Sequence, residues 1–298
     1  SRGAHRRSGS GDRHGGGIYI KQSDPTITDC IIEGNSVDGY GGGVWAKAYD
    51  GEFSGNTVQS NTSTESSIAG SAMFLYNSDA TIIGNEFLDN DCSSESGAEA
   101  AVMVSYGAPT LVGNWFEGNT SGSSGVGDAV RWHEADGLFA NNVVTGHSRY
   151  ALGLMDDSDV DIVNNTVVDN GSGLYISYNS TGYPGGDVVN NLFTHNDDYG
   201  IYASYYHCYN LSSLAYNDLY DNGEDDWSSG YCEYYWGSSY GNTSEDPHYE
   251  DRAGEDYRLK SKSGVKDSGT TGTSYGFSDD YAGTSRGSSN WSIGAYEK

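Results

Sequence analysis

Asn114-Trp115-Phe116-Glu117-Gly118-Asn119 has an outline, Asn-x-apolar-x-x-Asn, that returns along the chain. It recurs as Asn56-Thr-Val-Gln-Ser-Asn61, Asn85-Glu-Phe-Leu-Asp-Asn90, Asn165-Thr-Val-Val-Asp-Asn170, Asn191-Leu-Phe-Thr-His-Asn196 and Asn217-Asp-Leu-Tyr-Asp-Asn222. Two further copies change at one end: Cys30-Ile-Ile-Glu-Gly-Asn35 and Asn142-Val-Val-Thr-Gly-His147. Taken at their first residue, the copies fall at 30, 56, 85, 114, 142, 165, 191 and 217, in steps of 23 to 29 residues. A period of that length signals a solenoid.

Twelve residues before each of the first five markers begins a short alternating stretch: Ile18-Tyr-Ile20, Val44-Trp-Ala46, Met73-Phe-Leu75, Val102-Met-Val104 and Val130-Arg-Trp132. A second apolar stretch lies between it and the marker, as in Thr26-Ile-Thr28, Thr81-Ile-Ile83, Thr110-Leu-Val112, Leu138-Phe-Ala140, Asp161-Ile-Val163 and Asp187-Val-Val189. With the apolar centre of the Asn motif this makes three short strands per repeat, which is one coil of a parallel β-helix with coils about 4.8 Å apart. A leucine-rich repeat would need a helical half, and a propeller blade about 40 residues. The expected fold is therefore all-β, a solenoid of about eight coils over residues 15–223. Asn tolerates left-handed turns, and its amide both donates and accepts, so stacked copies should form ladders along the axis.

The composition agrees: 43 Gly and 25 Tyr against 4 Pro in 298 residues favour strands and turns. A formal net charge of −27 argues against nucleic acid and anionic membranes as partners. Between Gly15 and Gly223 the only Lys or Arg residues are Lys21, Lys47, Arg131 and Arg149. No apolar run reaches membrane-spanning length, and the first residues do not read as a signal peptide. The four cysteines show no metal-type spacing. Cys208 and Cys232 lie close to one repeat apart and could be bridged, while Cys30, at a ladder position, reads as a small buried thiol. Residues 1–14 read as a flexible lead-in and 224–298 as a cap over the solenoid end, where strand edges would otherwise be bare. Insertions at Ser177–Gly186 and Ala203–Ser212 should project from one face.

Gly15-Gly-Gly-Ile-Tyr-Ile20, Asp24-Pro-Thr-Ile-Thr-Asp-Cys-Ile-Ile-Glu-Gly-Asn35 and Gly41-Gly-Gly-Val-Trp45 together resemble the right-handed parallel β-helix repeat proteins of bacteria, of the pectate-lyase-like superfamily. The tail resembles the ending of secreted members in Asp246-Pro247-His248, Asp256-Tyr-Arg-Leu259, Asp267-Ser-Gly269 and Ile293-Gly-Ala-Tyr-Glu297, with His248 in place of an apolar aromatic and Ser292 in place of Asp. The resemblance implies an extracellular or cell-surface location. It leaves activity open, since the fold carries lyases, epimerases, glycosidases, adhesins and inert stalks.

If the first residue of each leading strand points inward, the next points out, giving a column of Tyr19, Trp45, Phe74, Met103 and Arg131 that Tyr175 and Tyr202 rejoin later. An exposed aromatic column could hold sugar rings of a polysaccharide or cell-surface glycan. The alternative is ordinary packing. Coils five and six bring together Arg131, His133, Glu134 and Asp156 as candidate catalytic groups: a uronate lyase or epimerase needs a cation at the carboxylate and a base at the C5 proton, and a glycosidase needs two carboxylates. Asp156, Asp157 and Asp159 could hold calcium, the one cofactor suggested, or form a solvated acidic turn. The expected function is a non-catalytic carbohydrate- or surface-interaction scaffold, with a calcium-assisted polysaccharide lyase or epimerase as the alternative.

Overall fold

Each coil passes its chain to the next in strict parallel register. Val44 lies opposite Ile18 and Met73, Phe87 opposite Val58 and Phe116, and Leu111 opposite Ile82 and Phe139. The computed structural model describes residues 14–64, 68–92, 98–122, 127–177, 182–204, 207–228, 232–234 and 237–298. These form three parallel sheets of nine, eight and eight strands, one strand from each coil per sheet, around a single apolar interior. Inside, like stacks on like: the rings of Phe87 and Phe116 lie 4.8 Å apart and 9° from parallel, matching the coil spacing.

Both Asn positions of the repeat form buried ladders. Asn114 Oδ1 accepts from the backbone N–H and the Nδ2 of Asn85, and Asn114 Nδ2 donates to Asn142 Oδ1 and to the Ile82 carbonyl. The first ladder runs from Asn56 through Asn85, Asn114, Asn142, Asn165, Asn191 and Asn217 to Asn242, past the last marker read from sequence. His147 replaces Asn in the second ladder. Its Nε2 lies 3.2 Å from Asn119 Nδ2 and its Nδ1 2.9 Å from Asn170 Oδ1, so the ring is neutral with its proton on Nδ1. Burial pushes its pKa down to about 4, against a smaller upward pull from Asn170.

Cys30 does not read as expected. Its N–H donates to Asn56 Oδ1, but its side chain is exposed because it is the first member of the row among the described residues. The cysteine that is buried outside a disulfide is Cys92, and Cys208 and Cys232 are bridged, with Cα atoms 5.8 Å apart. Parts of both projected loops, residues 178–181 and 205–206, lie outside the described residues, as do 1–13 of the lead-in.

The segment from Glu224 is not one end cap. Asp225–Trp227 adds the ninth strand to the first sheet, and Thr243 pairs with Asp218 of the third. The chain then turns back along the flank. Tyr249, Tyr257, Leu259, Val265 and Ile293 pack on Val143, Val168 and Leu192, outward residues of the third sheet. Three left-handed Asn residues anchor it: Asn141 donates to the Asp279 carbonyl, Asn164 to those of Ser292 and Gly294, and Asn190 to that of Thr270. Buried Arg286 donates to Asn141 Oδ1, the Gly294 carbonyl and Glu297. Gly294, at φ 96°, leaves no room for a side chain, since a Cβ would sit 2.6 Å from Leu192 Cδ1. Among the described residues no helix is long and apolar enough to cross a membrane.

Two predictions follow from the ladders. Asn114→Ala strips the buried Asn85 N–H of its acceptor and is expected to lower the unfolding free energy by about 3 kcal/mol in urea titration. His147 protonates near its ordinary pKa when unfolded but only near 4 when folded, so its contribution to stability is complete above about pH 6.5 and is lost as pH falls toward 4. The difference in melting temperature between wild type and His147→Asn should therefore shift in favour of the variant over that window. Parallel curves would contradict the assignment.

Candidate functional site

The outer face of the first sheet carries the column that alternation demands. Tyr19, Trp45, Phe74, Met103, Arg131, Gly153, Tyr175 and Tyr202 are successive partners in register. Its exposure differs from the expectation. Tyr19 is open to solvent, but Trp45 and Phe74 are only 6% and 5% exposed and Met103 is fully buried. The cover comes from other aromatic rings. His14 stacks on Trp45 at 5.0 Å, Tyr40 tilts over Phe74 at 5.2 Å, and Tyr150 lies 4.8 Å from Tyr175 and 5.5 Å from Tyr202. His14, assigned to the lead-in from sequence, also bridges to Tyr40 and belongs to this surface.

Tyr175 and Tyr202 are half-buried and stack within 5° of parallel, 5.4 Å apart. At the other end, the covered rings floor an open groove of about 340 Å³. Its lining is His14, Tyr40, Trp45, Lys47, Phe74, Tyr76, Ser105, Tyr106 and His133, with no carboxylate among them. Lys47 Nζ sits 4.5 Å over the Tyr76 ring, a cation–π contact that holds both side chains at the rim. Tyr106 meets His133 edge-on at 6.2 Å, and neighbouring Glu134 raises the pKa of the Tyr106 hydroxyl.

The four candidate catalytic residues divide. His133 lines the groove, and its Nε2 lies 3.2 Å from Asp156 Oδ2, whose side chain is 1% exposed. Arg131 is buried, and burial pushes its pKa down to about 10 despite the opposing charge of Asp156. It remains a cation, with an Nε that lacks a hydrogen-bond partner among the described residues. Glu134 stands on the turn beside Tyr106, in a left-handed conformation. Asp156, Asp157 and Asp159 do not converge: Asp156 faces His133, whereas the other two are exposed, and among the described residues no three His, Cys, Asp or Glu are grouped to hold a metal ion.

Lys47, Tyr76 and Ser105 escaped the sequence reading although a signal was present. They and His133 stand nine residues before their markers, as Lys21 does, and so form a second outward row beside the aromatic one. Tyr40 and His14 also carried a signal: each stands four residues ahead of a leading strand, before Gly-Gly-Gly, and the two are parallel partners one coil apart.

A family model described as right handed beta helix region matches residues 10–135 and 125–213, more than half of the chain. No curated protein matches it.

Proposed function

The chain belongs to the right-handed β-helix family, and we propose that it is an extracellular scaffold that binds polysaccharide in the groove on the outer face of its first sheet. One observation carries this reading: an open groove floored and walled by Tyr40, Trp45, Phe74, Tyr76 and Tyr106, with Lys47 held at its rim. Sugar rings present flat C–H faces that pack on aromatic rings, and a rim cation suits hydroxyl or carboxylate substituents. The Cys208–Cys232 bridge supports an oxidising, extracellular setting. A calcium-assisted lyase or epimerase would need Arg131, His133 and two carboxylates open to one sugar. With Arg131 and Asp156 beneath the surface and Glu134 on the turn, that alternative has less support.

Affinity electrophoresis against xylan, β-glucan, alginate and homogalacturonan tests the proposal. Retardation by at least one polymer is expected. Tyr76→Ala should weaken it about tenfold, the value of one stacking contact, and Lys47→Ala should weaken retention of the acidic polymers selectively. Retardation by none of the four, or retention unchanged in Tyr76→Ala, would overturn it.

A further inference from the structure

Three consecutive coils place a hydroxyl, an imidazole and a carboxylate side by side at one end of the groove. Ser105 and His133 are direct partners in register, both on the outer face and both lining the groove. The next partner of His133 is Met155, and the residue after it, Asp156, turns its buried carboxylate onto His133. Nε2 lies 3.2 Å from the Asp156 carboxylate, which favours the neutral tautomer with its proton there and its lone pair on Nδ1, an atom with no hydrogen-bond partner among the described residues. Ser105 Oγ makes no hydrogen bond to His133 in this structure. Hydroxyl–base contacts of this type commonly close only when substrate is bound.

We propose that Ser105, His133 and Asp156 form a nucleophilic relay that hydrolyses ester substituents, such as O-acetyl groups, on a glycan held in the groove. This rests on the reading of the groove as a polysaccharide site. Ser105 Oγ attacks the ester carbonyl carbon while His133 takes its proton. The tetrahedral intermediate collapses by breaking the bond to the sugar oxygen, which leaves with that proton as the alcohol. Water then attacks the Ser105 acyl ester, giving a proton to His133. Carboxylic acid departs, and the proton returns to Ser105 Oγ. One ester and one water become one acid and one alcohol, with no other reactant. Asp156 touches no reacting atom and is a positioning residue: it fixes the ring and favours the imidazolium that forms in each step.

The aromatic floor gives this placement a purpose. Phe74 and Tyr76 occupy the coil before Ser105 and Met103, so a sugar resting on them would bring a ring substituent to the serine. Neither the carboxylate pairs of glycosidases nor a metal enters the scheme.

Hydrolysis of p-nitrophenyl acetate and release of acetate from acetylated xylan test it, together with labelling of the wild-type protein by a fluorophosphonate and peptide mapping of the adduct. The expected adduct is on Ser105. Ser105→Ala should lower kcat at least about a thousandfold. Added imidazole should restore part of the activity of His133→Gly. Asp156→Asn should lower kcat with KM unchanged, and Asp156→Glu should recover part of it. Retardation by polysaccharide without ester hydrolysis or labelling, or equal hydrolysis by Ser105→Ala, would overturn the relay and leave the binding groove standing. Hydrolysis of p-nitrophenyl acetate with Ser105 labelled, but no polysaccharide retardation, would support the relay and remove the glycan reading.

Discussion

One interaction sets the terms for the rest of the molecule: an Asn carboxamide oxygen that accepts from both the backbone N–H and the side-chain amide of the Asn one coil earlier. Strand pairing alone fixes neighbouring coils within each sheet, but the corners between sheets leave backbone groups with no ladder partner. The stacked amides satisfy these groups at two corners per coil. That allows coils of different length, 23 to 29 residues, to keep one cross-section. Length changes fall elsewhere, at the turn before the first sheet in coils three to five and at the turn after it in coils seven and eight. His147 shows that the requirement is for a neutral group with one donor and one acceptor at the proper spacing, rather than for Asn itself.

The same constraint explains the tail. Where the third sheet faces solvent its outer positions include Glu33, Gln59 and Glu86, beside the exposed Ile31. From coil five onward they become Val143, Val168 and Leu192, and the residue ahead of the marker changes from Gly at 55, 84 and 113 to Asn at 141, 164 and 190. Those extra amides bind the returning chain, and Asn190 also donates to Asn164 one coil earlier. Burial on both faces gives these strands a run of apolar residues instead of alternation. The returning chain also buries Arg286 against the flank, where three neutral acceptors and the Glu297 carboxylate offset its desolvation; burial still pushes its pKa down to about 10.

Most of the solenoid was legible because its rules are local: period, alternation and corner chemistry all recur within one repeat. The Asn-Asn doublets and the apolar outer positions were equally visible, but their meaning depends on a partner about a hundred residues away, so a flank cover read as an end cap. The groove divides in the same way. Alternation placed Tyr19, Trp45 and Phe74 outward, and the structure keeps them there. Whether an outward ring meets solvent depends on what folds over it, and Tyr40 and His14 reach over the column from the turns ahead of the strands. Attention to aromatic residues also drew the reading to the row eleven residues before each marker. The row nine residues before, with Lys47, Tyr76, Ser105 and His133, holds more of the polar chemistry.

Charge gives that second row its weight. With 42 acidic and 15 basic side chains, the protein carries a formal net charge of −27 and a negative overall field. Three of the four Lys and Arg residues between Gly15 and Gly223 nevertheless stand on the outer face of one sheet, Lys21 beside Lys47 in coils one and two and Arg131 in coil five. Their placement opposes the general field along a line parallel to the solenoid axis. From Lys47 to His133 that line crosses three coil steps, about 14 Å at the spacing of paired strands. A compact ligand would need cations gathered at one point. Lys47 at one end of the aromatic floor and the His133 imidazole at the other instead suit the extended chain proposed for the groove, with Ser105 between them.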